Sequence, residues 1–346
     1  MPNALASAIA HGGNLHEAAR LYGIPYDQWL DLSTGINPHG YPVPPVPADA
    51  WRRLPDDGDG FAARAARYYG APDAAHVLPV AGSQAAIRLL PTLLPRGAVA
   101  IAPLTYSEYA PAFTRAGHRV MPLDIARATL PDDITHAVVV NPNNPTADYL
   151  SAAMLLQWHA QLAARGGTLL VDEAFADAMP APSASLAADA ARPGLIVLRS
   201  PGKFFGLAGV RAGFVLGEPA VLARLRDALG AWTVSGPARH AVTAALGDSE
   251  WQRQMRVRLV EESARLGAML HAQRCVCHAT PLFAWTADAR AQALHAALAE
   301  RGIWTRFFAQ PASVRFGLPA SDDDWARFER ALTESVRAID AAAKAD

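Results

Sequence analysis

Between Phe61 and Leu216 short apolar runs alternate with segments long enough for a helix, and no other feature restricts the fold so tightly. The runs are Ala98–Ala102, Arg119–Leu123, Ala137–Val140, Thr168–Val171, Leu195–Leu198 and Ala212–Leu216. They are rich in Val, Leu and Ile and do not alternate with polar residues. A strand with one wet face alternates, whereas a strand covered on both faces does not. The pattern predicts an α/β fold, a mostly parallel sheet with helices on both sides. In such sheets ligands bind beyond the carboxyl ends of the strands, so chemistry is expected in the polar clusters that follow each run.

A chain of 346 residues suits one large domain and a smaller one. The pattern assigns residues 41–217, with part of an interdomain helix after 217, to the large domain. Residues 218–346 form a smaller α+β domain, and residues 1–40 are an arm grouped with it. The Pro-rich stretch Tyr41–Pro47 has too few donors for a helix or central strand and reads as an extended connector. A long helix over about Glu250–Ala272 leads to short strands near Cys275–His278, Phe283–Trp285, Trp304–Phe307 and Ser313–Phe316. A last helix starts at Ser321 and carries Trp325, Phe328, Leu332, Val336 and Ile339 at helical spacing, which is core packing.

The charge balance, 31 basic against 32 acidic residues, gives no footprint for nucleic acid or an anionic membrane. An anionic ligand must therefore be held by a local site. Cys275 and Cys277 have only His278 close by, too few ligands for a metal, and read as free thiols. Met1–Ala10 has neither the basic nor the long apolar part of a secretory signal, so a cytoplasmic location is expected.

Four segments follow predicted strands of one sheet: Ala81-Gly-Ser-Gln84, Asn141-Pro-Asn-Asn-Pro145, Asp172-Glu-Ala-Phe175 and Ser200-Pro-Gly-Lys203, with Arg211 eight residues later. Each alone has an ordinary reading as a turn or a cap. Their order is the signal. In that order the chain resembles the aminotransferase-type pyridoxal-phosphate enzymes over nearly its whole length. The resemblance implies the type I fold of these enzymes, pyridoxal 5'-phosphate as cofactor and a homodimer. It implies that Lys203 carries the cofactor as a Schiff base, that Asp172 faces the pyridine nitrogen, and that Asn141 faces the ring's 3'-oxygen. Tyr106 corresponds to the aromatic residue that stacks on the ring. Gly82, Ser83, Ser200 and Arg211 match the phosphate-holding positions, and Arg315 in Val314-Arg-Phe-Gly317 matches the arginine for a substrate carboxylate. The chemistry agrees. A Lys in an apolar, electropositive site loses its proton more readily, a carboxylate keeps the pyridine nitrogen protonated, and a helix N-terminus with a guanidinium suits a phosphate.

The arm narrows the family. His11-Gly-Gly-Asn14, followed by Asp31-Leu-Ser-Thr-Gly-Ile-Asn-Pro38, closely resembles the L-threonine-O-3-phosphate decarboxylases of cobalamin biosynthesis, relatives of histidinol-phosphate aminotransferase. That resemblance implies decarboxylation of threonine phosphate to (R)-1-aminopropan-2-yl phosphate. A turn with two glycines presents N–H groups, so His11, Gly12, Gly13 and Asn14 read as a nest for the substrate's phosphate, joined by Ile36 and Asn37. The alternative is an aminotransferase acting on a phosphorylated amino acid such as histidinol phosphate. The chain departs from many relatives at two points. Phe175 stands where a Tyr donates to the 3'-oxygen, and Leu54-Pro-Asp56 replaces a Tyr-Pro-Asp whose Tyr reaches the partner subunit's cofactor.

Overall fold

A computed structural model describes residues 11–180 and 184–345. The chain divides into two compact units. One comprises residues 40–144 and 148–255. The other comprises residues 1–39, 145–147 and 256–346. The sequence pattern put the change after residue 217, whereas the structure puts it at Met255/Arg256, inside the helix Ser249–Ala272. The physical reason is packing. The helix Pro219–Leu229 buries Leu222 and Leu225 in the same core as Ile87 and Leu90, and the helix Gly236–Gly247 lies against Phe61–Tyr69.

In chain order the strands begin with the two-residue β1 (Leu30–Asp31). The larger unit then supplies β2 (Val77–Val80), β3 (Ala98–Ile101), β4 (Arg119–Pro122), β5 (Ile134–Val140), β6 (Thr168–Asp172), β7 (Leu195–Arg199) and β8 (Gly213–Gly217). They form one seven-stranded sheet in the order β2-β8-β7-β6-β5-β3-β4. All neighbours are parallel except that β8 runs antiparallel to both β2 and β7. Every residue of β2, β3, β6, β7 and β8 is buried, as an unalternating apolar run requires. Arg119–Pro122 departs from that expectation, because β4 is an edge strand and stays partly exposed.

The other unit carries β9 (His278–Thr280), β10 (Phe283–Ala287), β11 (Ile303–Trp304), β12 (Arg306–Ala309) and β13 (Ala312–Gly317). β1 pairs in parallel with β11, and the rest form an antiparallel sheet in the order β12-β13-β10-β9. Its last helix, Asp322–Ala345, is capped where Ser321 Oγ accepts from Asp324 N at 3.2 Å, and it buries Trp325, Phe328, Leu332 and Val336. Cys275 and Cys277 are both free thiols.

Beneath the carboxyl edge of the large sheet lies a buried ionic knot. Arg199, at the end of β7, donates to both Glu173 and Asp177, and its guanidinium lies 4.4 Å from the centroid of the Tyr69 ring. Glu173 also accepts from Ser185 Oγ at 2.6 Å and from Leu186 N at 2.7 Å. Burial works against the Arg199 charge, but Asp177 and Glu173 outweigh it and raise the pKa. Breaking such a pair costs more than its formation yields, since the surviving charges stay buried without compensation. Arg199→Met should therefore destabilise the fold by about 3–5 kcal/mol in urea unfolding, read as a fall in midpoint at constant slope. A loss below about 1 kcal/mol would show that the knot is solvated.

Candidate active site

The register of the parallel strands assembles the site. Val140, Asp172 and Leu198 are neighbours across β5, β6 and β7, so these strands end together. Two backbone bonds extend the alignment: Asn141 N donates to Asp172 O at 2.8 Å, and Glu173 N donates to Leu198 O at 2.9 Å. Because β8 is antiparallel, its first residue Gly213 pairs with Val80, the last residue of β2. The loop entering β8 and the loop leaving β2 therefore reach the same edge. One cavity there is lined by Gly82, Ser83, Tyr106, Asp172, Ser200, Lys203 and Arg211, together with Phe175. These come from five separate stretches of sequence.

One end of the cavity suits an anion. The helix Ser83–Leu93 starts there, with Gly82 at its N-cap and φ of +76°; Ala85 N turns back to Gly82 O at 3.2 Å, and the N–H groups of Ser83 and Gln84 precede the first intrahelical bond. The positive φ favours glycine at residue 82, and a Cβ there would lie 2.8 Å from Arg211 Nη2 and displace that guanidinium. Arg211 is itself left-handed, with φ of 55°, and its Nη1 donates to Ala208 O at 3.2 Å. Such a conformation in a non-glycine residue costs of order 1–3 kcal/mol and marks a position held for its side chain.

At the other end sit the carboxylate and the amine. Asp172 is buried. Its Oδ2 accepts from Tyr109 OH at 2.6 Å and its Oδ1 from Ala174 N at 3.0 Å. Burial pushes its pKa up, opposed by the Tyr109 and Ala174 bonds and by the charge of Lys203. Lys203 Nζ lies 5.8 Å from the centroid of the Phe175 ring, which is buried and offers a π face in place of the hydroxyl of a tyrosine. Tyr106 forms a wall of the cavity. Its hydroxyl donates to Gln84 Oε1 at 2.9 Å, and Gln84 Nε2 donates to Glu108 Oε2 at 2.8 Å. Burial, with Glu108 and Asp172 nearby, takes the Tyr106 phenol up to about 12.

Asn141 follows β5 at the same edge but is not among the residues that line the cavity. Its amide is latched both ways to Leu150, donating to the carbonyl at 3.0 Å and accepting from the N–H at 2.8 Å. Asn144 lines the cavity instead.

The arm residues and Arg315 belong to the other unit. Arg315, on β13, is buried and donates to Ser33 O. Ser33 Oγ accepts from Gly13 N at 2.7 Å and donates to Asp31 Oδ1 at 2.6 Å. A Cβ on residue 12 would lie 2.3 Å from Ser33 O, so the Gly-Gly turn is pressed against the bend whose carbonyl Arg315 holds. Arg306 is the cross-strand partner of Arg315. Burial, with Arg306 beside it, lowers the Arg315 pKa to about 10, still well above neutral pH. Asn37 is buried and accepts from His39 N at 2.9 Å, and Ile36 is half-buried. His11 and Asn14 are exposed, and Asn14 precedes the helix Leu15–Tyr22 without capping it. Leu54 is exposed, in the larger unit.

Sequence reasoning missed Tyr109, Gln84 in its bonding role, Asn144, Ser33 and Arg306. Tyr109 reads as a core aromatic, and Arg306 gains meaning only from its partner across the hairpin.

The donor set fits a phosphorylated aromatic aldehyde: an amine, a buried carboxylate, an aromatic wall, and an anion cradle that a single Cβ would fill. Residues 58–332 match the family described as aminotransferase class I and II, and the chain belongs to that family. It is 51% identical to the threonine-phosphate decarboxylase of Pseudomonas aeruginosa, over 94% of this chain and 97% of that protein. Among solved structures it is similar to histidinol-phosphate aminotransferase from Sinorhizobium meliloti, in complex with pyridoxal-5'-phosphate. The TM-score is 0.80 at 17% identity, covering 96% of this chain and 99% of that one. It is also similar to L-threonine-O-3-phosphate decarboxylase from Porphyromonas gingivalis, with a TM-score of 0.73 at 18% identity, covering 88% and 98%.

Proposed function

We propose that this chain is a pyridoxal-phosphate-dependent decarboxylase that converts L-threonine O-3-phosphate to (R)-1-aminopropan-2-yl phosphate and carbon dioxide, a step of cobalamin biosynthesis. The observation that carries the reading is the 51% identity with a threonine-phosphate decarboxylase over nearly the whole of both chains, in a chain that keeps Lys203 and buried Asp172 in one cavity. When bound, the cofactor supplies an electron sink for the pair left on the substrate's α-carbon. Asp172 holds a proton at the ring nitrogen. Ser83, Ser200, Arg211 and the N–H groups after Gly82 hold the phosphate, and Tyr106 covers a ring face. Asn141 is assigned to the 3'-oxygen through the Nδ2 hydrogen that Leu150 leaves over. Lys203 offers the amine that binds the aldehyde. Once carbon dioxide has left, it is also a cavity base able to return a proton to the α-carbon.

Substrate recognition is assigned to the other unit. Arg315 is a buried cation with a second cation, Arg306, as its cross-strand partner, so an incoming anion relieves both burial and repulsion. A planar guanidinium meets a carboxylate through two parallel bonds. His11, Gly12, Gly13 and Asn14, with Ile36 and Asn37, are assigned to the substrate phosphate. Anchoring the phosphate at a distance from the carboxylate clamp would fix which bond of the α-carbon is presented to the electron sink that the cofactor would supply.

Among the described residues no helix is long and apolar enough to cross a membrane. We assign the protein to the cytoplasm, where two free thiols persist. A homodimer is assigned as well. Trp51, Leu54 and Trp232 are 69%, 66% and 62% exposed, large apolar side chains that a partner subunit could cover.

With threonine phosphate as the sole substrate, the purified holoenzyme should release carbon dioxide without any 2-oxo acid. Lys203→Ala should lose both turnover and the borohydride-reducible adduct. A strict requirement for a 2-oxo acid would make the protein an aminotransferase. In sedimentation equilibrium the same preparation should show twice the chain mass; a monomer would remove the dimer.

The substrate nest has its own test. Replacing His11 and Asn14 together by Ala should lower kcat/KM for threonine phosphate at least about tenfold, through KM, since each charge-assisted bond is worth about 1.5–3 kcal/mol. Cofactor affinity should stay at the parental value. Parental kinetics in the double variant would leave the arm with no role in recognition.

A further inference from the structure

Asp172 can hold a proton on a ring nitrogen only while it is itself an anion, and burial opposes that. The groups around it are few. Lys203 favours the charge, while Glu173, next in sequence, and Tyr106, on the cavity wall, oppose it or are opposed by it. The remaining partner is Tyr109. It opens the helix Tyr109–Arg115, is fully buried in the core of the large sheet, and its hydroxyl lies 2.6 Å from Asp172 Oδ2. Its ring meets that of Tyr106 edge-on, with centroids 6.1 Å apart.

We infer that Tyr109 is a positioning residue: its buried hydroxyl, donated to Asp172 Oδ2, keeps that carboxylate ionised and, with the Ala174 N–H on the other oxygen, fixes its plane. A phenol is a suitable donor here. Burial and the adjacent carboxylate hold the Tyr109 proton far above its ordinary pKa, so the group donates at every working pH. A histidine in the same place would gain and lose its proton within that range. Short hydrogen bonds to an anion are among the stronger ones in proteins, and the low dielectric of the core strengthens this one further. The inference rests on the proposed cofactor for its catalytic meaning, while the Tyr109–Asp172 coupling stands apart from it.

The test uses Tyr109→Phe, which removes one oxygen and keeps the ring. A second protein carries 3-fluorotyrosine at position 109, a more acidic phenol and a stronger donor, in case the first fails to fold. The carboxylic-acid stretch of Asp172, identified by its loss in Asp172→Asn, is followed by difference infrared against pH, with and without pyridoxal phosphate. Losing the donor should move its titration to higher pH by at least about one unit, and the fluorinated donor should move it to lower pH. In the holoenzyme, Tyr109→Phe should lower kcat about tenfold or more with KM for threonine phosphate nearly unchanged, since Tyr109 meets no substrate. A merely structural tyrosine would lower the melting temperature without moving the titration in either direction, and that result overturns the inference. If the titration moves as expected but no cofactor attaches to Lys203, the proposed function fails and the coupling remains.

Discussion

The antiparallel strand β8 carries more of this structure than any other single element. Six of the seven strands of the large sheet form parallel or outer positions that a simple β-helix-β progression would give, but β8 enters between β2 and β7 running backwards. Its start, not its end, therefore lies at the carboxyl edge of the parallel strands. That reversal brings Arg211 to the N-terminus of the helix that begins at Ser83, within reach of the position a Cβ on Gly82 would occupy. With a parallel β8, Arg211 would stand at the opposite edge and the anion cradle would lack its cation. The left-handed backbone at Arg211 is the local cost of turning the chain into that strand.

Burial of charge is the second organising constraint, and the chain meets it differently in each place. Arg199 is surrounded by two carboxylates and an aromatic face, so most of its charge is compensated inside the fold, although its Nε makes no hydrogen bond. Asp172 is compensated in part, by a phenol, one N–H and a nearby amine. Arg315 has Ser33 O and a weakly favourable Asp31 against the opposing charge of Arg306. The doubly paired knot serves stability, whereas under the proposed function Asp172 and Arg315 would each meet the charge of a ligand.

Several features were legible in the residues alone. Unalternating runs fixed the buried strands, because a strand covered on both faces cannot tolerate regular polar positions. The order of Asn141, Asp172, Ser200, Lys203 and Arg211 pointed to the family: Asn141, Asp172 and Ser200 stand at or just after strand ends, Lys203 follows in the next turn, and Arg211 precedes the reversed strand β8. Other features were not legible. Residues 219–255 read as part of the smaller domain, yet their helices pack on those of the larger unit, and helix periodicity says which face is apolar, not what covers it. Arg119–Pro122 read as a buried strand because an edge is a property of sheet order, which no local window contains. Asn141 stands at the expected strand end, but its two bonds to Leu150 join residues that no local window pairs.

The sequence by itself determined the fold class and the family, and it singled out the amine and the carboxylate proposed to react, because periodicity and strand-end chemistry are local properties of the chain. Tertiary structure alone decided that Tyr109 supports Asp172, that Gln84 and Glu108 support Tyr106, and that Arg306 stands opposite Arg315. Each of these pairs joins residues whose spacing carries no signal. They meet through strand register and helix packing, which depend on the whole sheet being closed at once.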